Sequence, residues 1–169
     1  MNTSELICCV EYLGCAVWLD IRRSCVPNWL TLSFAILGTT IAMARYGAAA
    51  GVVFSLKGFA VGFGILFIPF VMGGMGGGDV KLLAALGCWV GGLGVFQVFL
   101  YGAVSGGILS LGLIFHKAGI AGIKNIFTGI FLDMISFHKP AVSETGLKLP
   151  YALPMAIGFG VYASVEPIL

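Results

Sequence analysis

Gly73-Gly74-Met75-Gly76-Gly77-Gly78-Asp79-Val80-Lys81 separates two long apolar runs, and five of the six residues before Asp79 are glycine. A carboxylate and an ammonium set behind so much side-chain-free backbone make sense only once the surrounding medium is known. The flanking runs supply it. Residues 51–72 contain a single charge, and 82–116 contain none. Uncharged stretches of this length suit helices that cross a bilayer, where each backbone group must find its partner inside its own segment.

The whole chain repeats the pattern. Of its 169 residues 59% are hydrophobic and only 9% charged, with mean hydropathy +1.06. A soluble domain carries about 25% charged residues. Too little polar surface exists here to coat a water-facing globule. A net charge of +2 gives no footing for nucleic-acid binding. Cys8, Cys9, Cys15, Cys25 and Cys88 form no CxxC pair and no zinc spacing, which leaves them as small packing residues. The N-terminal stretch MNTSELICC has no basic region ahead of its apolar run, so it reads as the start of a retained span rather than a cleaved signal.

Apolar runs predict an all-α membrane protein of about six spans, at roughly 5–21, 28–46, 51–72, 79–93, 94–116 and 149–166. The fourth is short and rich in small residues, which suits burial among its neighbours. An N-terminus outside would put Arg22, Arg23, Lys81, Lys117, Lys124, Lys139 and Lys148 on the cytoplasmic side. Only Arg45 and Lys57 would then be left outside, as the positive-inside rule favours. Residues 118–139 place Ile120, Ile123, Phe127 and Phe131 at helical spacing opposite Lys124 and Asp133, the pattern of an amphipathic helix in the interface before the last span.

Seven acids remain to be explained. Glu5, Glu144 and Glu166 fall near surfaces or in a polar loop, where solvation accounts for them. Glu11 falls within the first span, where an ionisable group needs a wet interior or a partner. Asp20 lies at the inner end of the first span and Asp79 at the inner start of the fourth, so topology puts both at one depth. Each has a plain structural alternative. Asp79 suits a helix N-cap, and Asp20 suits an ion pair with Arg22 or Arg23. Gly76, Gly77 and Gly78 argue for more, because a solvated cap does not need three consecutive glycines. They suit an extended substrate lying against the backbone beside the carboxylate. Two adjacent carboxylates share a proton, so that one acts as general base on water while the other polarises a carbonyl. His116 and His138 lack HExxH spacing, no serine sits in a nucleophile elbow, and the glycine run lacks the order of a phosphate loop.

These residues carry a resemblance. GGMGGGDVKLLAALG resembles the GxGD signature of membrane aspartyl proteases at Gly76, Gly77, Gly78 and Asp79, and with Lys81 it is most similar to the type IV prepilin peptidase branch. DIRRSCVPNWL resembles that branch's second motif at Asp20, Arg22, Pro27 and Asn28. LPYALPMAIG resembles its C-terminal segment at Pro150, Tyr151 and Pro154. The three together span residues 20 to 158. Archaeal preflagellin peptidases share the signature.

The resemblance implies a prepilin-like leader peptidase with Asp20 and Asp79 as its catalytic pair. Cleavage would fall on the cytoplasmic side of the inner membrane, after a glycine that joins a short basic leader to a hydrophobic helix. It implies no cofactor. The partners would be a membrane-anchored prepilin or pseudopilin precursor and the bilayer, while the sequence leaves open whether the chain works alone or as a homo-oligomer. Larger relatives carry an N-methyltransferase segment. The short link between the first two spans leaves no room for one, so residues 1–169 are expected to form a single protease-only domain like that of tight-adherence pili. Among the remaining motif residues, Pro27 suits the first turn of the second span and Asn28 a brace for the loop carrying Asp20. Arg22 suits a headgroup anchor, Lys81 a partner for Asp79, and Pro150 and Pro154 an unwound approach to the last span. The competing class is an ion- or proton-coupled transporter using the two aspartates as its ion site. Neither acid lies mid-span, however, and no inverted repeat is evident.

Overall fold

The computed structural model describes residues 3–23, 26–73, 76–136 and 152–165, and all regular structure among them is helical. Helices α1 (Thr3–Arg23), α2 (Asn28–Tyr46), α3 (Ala48–Val71), α4 (Gly77–Ser136) and α5 (Ala152–Val165) follow in order. By length and composition α3 and the Gly77–Ser110 part of α4 are able to cross a membrane, with mean hydropathies of 2.0 and 1.9.

Consecutive helices reverse direction. Glu5 of α1 meets Arg45 of α2 while Tyr12 stacks on Phe34, so these two run antiparallel. A single residue, Gly47, joins α2 to α3. Its φ of 89° lies where a side chain is strained, so only glycine makes this reversal cheaply. The helix therefore begins at Ala48 rather than at 51, and Lys57 lies well inside α3 instead of in an outer segment.

Helix α4 forms the centre. Leu82, Leu83, Ala84, Ala85 and Leu86 are all buried, so the helix is enclosed on every side, as its small and apolar residues predict. Contact with α3 is close enough that a methyl group on Gly58 would strike the Gly87 carbonyl, and one on Gly87 the Gly58 carbonyl. Ser55 Oγ donates to the Cys88 carbonyl across the same contact at 3.1 Å. On the other flank, Trp89 donates from Nε1 to the Phe34 carbonyl at 2.9 Å and extends the Tyr12–Phe34 stack to three rings. Each such ring pair contributes about 0.5–1.5 kcal/mol beyond area burial.

Two departures from the sequence expectation concern α4. Within α4, Gly91 is left-handed, with φ 75°, two residues before the boundary that the sequence sets after residue 93. A side chain there would also meet the Phe54 ring. The arm before Gly91 packs on α1, α2 and α3, whereas the arm after it packs antiparallel on α5. There Gly94 faces Tyr162, and Gly102 faces Gly158. The second departure is that the helix runs on to Ser136, so 118–136 continues α4 rather than standing as a separate element. No proline interrupts this stretch, and its glycines are tolerated within a helix. The side chains of the 118–139 segment lie outside the described residues, as do Glu144, Pro150, Tyr151 and Glu166.

Glu5 is the clearest correction among the acids. It is not solvated but buried, and it accepts from Arg45 Nη1 at 2.9 Å. The tight α2–α3 turn holds Arg45 beside the start of α1, which removes Glu5 from water.

Candidate active site

The end of α1 and the first turn of α4 run antiparallel, and this brings Asp20 and Asp79 together. They face each other closely enough to interact electrostatically. Asp79 is only 7% exposed, and Asp20 is partly buried. The Asp79 amide donates to the Gly76 carbonyl at 3.2 Å. A first-turn acid at a helix N-terminus also faces the positive end of the helix dipole. The cap-like role and the meeting of two acids therefore coexist at Asp79.

The three glycines do different work. A methyl group on Gly76 would sit 3.3 Å from Asp79 Oδ2, so this position keeps the carboxylate uncrowded. On Gly77 it would press on the Phe70 ring at 3.2 Å, and on Gly78 it would make ordinary contact with Val26 at 3.5 Å and beyond. Phe70 and the buried Val26 thus form the walls of the glycine turn. The sequence reading missed both, because an apolar residue beside a motif carries no signal of its own. Gly73, with φ 78°, ends the preceding helix region.

Other motif residues take partners different from those expected. Lys81 Nζ donates to Asn28 Oδ1 at 2.8 Å, which ties α4 to the start of α2 and replaces an ion pair with Asp79. A lysine two residues after Asp79 projects from a different side of the helix, toward α2. Arg22 lies over the Trp18 ring at 4.6 Å instead of pairing with Asp20. Pro27 is the N-cap of α2, one residue ahead of the predicted first turn, and its carbonyl accepts from Leu30 at 3.2 Å. Pro154 lies inside α5 rather than in an unwound approach. Its carbonyl accepts from Ser105 Oγ at 3.2 Å, and its ring packs against Gly106.

A model of the type IV leader peptidase family matches residues 7–111, which include both aspartates and most of the described bundle. The chain belongs to this family. It is similar to a prepilin leader peptidase/N-methyltransferase of Xanthomonas campestris pv. campestris, at 34% identity over 106 residues. That match covers 59% of this chain and 36% of the relative, so the chain spans little more than a third of that protein's length. No solved structure matches it.

Proposed function

We propose that this leader-peptidase family member is an intramembrane aspartyl endopeptidase that removes the short basic leader from type IV prepilin-like precursors. One observation carries the reading: two carboxylates on separate helices, Asp20 and the buried Asp79, lie within electrostatic reach of each other beside a glycine turn. In such a pair the ionised member takes a proton from water while the protonated member hydrogen-bonds the scissile carbonyl. The water oxygen bonds to the carbonyl carbon, the C–N bond then breaks, and the leaving amine takes up a proton from the pair. Neither step needs a covalent enzyme intermediate.

The exposed Gly76 leaves the backbone open beside Asp79, as an extended substrate requires. The Lys81–Asn28 bond holds the first turn of α4 against α2 and so positions Asp79. Residues 1–169 then form one inner-membrane domain of six spans with its N-terminus outside. Gly91 separates the fourth span from the fifth, and the aspartates open to the cytoplasm. The abundance of lysine and arginine at the Asp20 end supports that orientation.

The test is leader cleavage of a prepilin-like precursor in proteoliposomes. Asp20→Asn and Asp79→Asn should each lower cleavage by about 10²–10⁴-fold while the protein stays folded and monodisperse. Undiminished processing by both single variants would overturn the mechanism. Accessibility of a cysteine placed beside Asp20, labelled from each side of the membrane, tests the orientation separately.

A further inference from the structure

Glu11 and Lys57 remain once the leader-peptidase chemistry has been assigned. Both are exposed on the outside of the helical bundle, Glu11 in the middle of α1 and Lys57 well inside α3. Among the described residues neither has a partner. They also share one layer of the molecule. Tyr12, next to Glu11, lies by Cys88, and the Cys88 carbonyl accepts from Ser55, two residues before Lys57. On the reading that these helices cross a bilayer, two opposite charges face lipid at one depth. That arrangement is expensive unless each meets a partner.

The surrounding surface suits one. Among the exposed residues, positions 7, 11, 14, 18 and 21 of α1 and 53, 57, 60, 64 and 67 of α3 form a stripe down the outermost line of each helix, with the same 4-3-4-3 spacing in both. This is the spacing of a coiled-coil seam. Because α1 and α3 each run antiparallel to α2, they run parallel to one another. Aligning Glu11 with Lys57 sets Gly14 against Ala60 and the large Trp18 against Gly64, where a side chain on the glycine would meet nothing within 4 Å. Large then faces small, and two small residues let the backbones approach.

Helix α2 lies between α1 and α3 and exposes Ile36 and Thr40. A two-fold axis along the membrane normal, running just outside the exposed face of α2 so that the two α2 helices face each other across it, would make both pairings at once. We infer that this α1–α2–α3 face binds a second copy of the chain, with Glu11 paired to Lys57 of the partner subunit and Lys57 paired to the partner's Glu11. The inference rests on the membrane-spanning reading, and charge complementarity selects a second copy over an uncharged helix.

The native Cys15, exposed on α1, supplies a probe: it follows the seam residue Gly14 by one place, and in a parallel seam that flank faces the partner residue one place before a seam position, here the partner subunit's Leu56. With Leu56→Cys in the full chain, a mild copper oxidant in native membranes should give a disulfide-linked dimer. Adding Cys15→Ser should abolish it. In mild detergent, Glu11→Lys or Lys57→Glu should each weaken dimerisation about tenfold, the scale of one good contact between membrane helices. The double exchange should restore it.

A chain that resists alkaline extraction from membranes yet gives no Cys15-dependent dimer would overturn the inference and leave the peptidase reading standing. So would a double exchange as monomeric as the single variants. A chain released into solution would overturn both. The Leu56→Cys arm keeps native charges, so it decides the matter even where a charge reversal fails to fold.

Discussion

Helix α1 carries one acid near each end, and the two meet opposite kinds of partner. Glu5 is buried against Arg45 at 2.9 Å, whereas Asp20 is held beside another acid, Asp79. The first arrangement stabilises: opposite charges compensate each other's loss of water, and the pair pins α1 to the α2–α3 turn. The second works against stability, since like charges are crowded where one of them is poorly solvated. A fold keeps such a conflict where chemistry needs it. On the proposed function, one end of the helix holds the bundle together, and the other holds the reactive groups that the bundle must restrain.

This contrast can be broken most severely at the acid–acid end. Asp79→Asn should lower leader cleavage by about 10²–10⁴-fold, the range of a lost acid–base group, with thermal unfolding in detergent unchanged or shifted upward. Arg45→Leu should do the reverse. It leaves Glu5 buried and unpaired, which removes about 1–3 kcal/mol of stability while the folded fraction still cleaves. If both substitutions cost stability alike, the two ends do not differ in kind.

Smaller effects sharpen the picture of the glycine turn. Gly76→Ala puts a methyl group against Asp79 Oδ2 and should slow turnover about tenfold, whereas Gly78→Ala should change it less than about twofold. Equal losses at both positions would mean that substrate, rather than the carboxylate, needs the space. Lys81→Met removes the bond to Asn28 and should lower activity only about threefold, the worth of one exposed hydrogen bond. A loss as large as that of Asp79→Asn would give Lys81 a chemical role instead.

Much of this arrangement was legible in the sequence because hairpin topology is a matter of length. The 28–46 run became α2 at both ends, and antiparallel spans of similar length had to return Asp79 to the level of Asp20. Partner choice was less legible. Spacing along a chain says at what level Glu5, Lys81 and Arg22 lie, but rotamers and neighbouring helices decide that they reach Arg45, Asn28 and the Trp18 ring. Lys57 was misplaced for a different reason. It already falls within the predicted 51–72 run and counts as outside only by its nearness to the start of that run; the one-residue turn at Gly47 starts α3 at Ala48 and sets Lys57 three residues deeper still. The continuous backbone of α4 beyond residue 117 was also missed, because amphipathic patterning marks a change of surroundings without marking a helix end.

The left-handed Gly91 has a consequence for the thickness of the surrounding bilayer. From Gly77 to Gly91 the arm carrying Asp79 is roughly 20 Å long at helical rise. A hydrocarbon core is about 30 Å thick. If this arm spans the membrane, lipid beside it must thin, or its polar end must sit recessed below the headgroups. Either adjustment opens a shallow depression at the Asp20–Asp79 end, through which water reaches carboxylates that lie below the membrane's nominal surface.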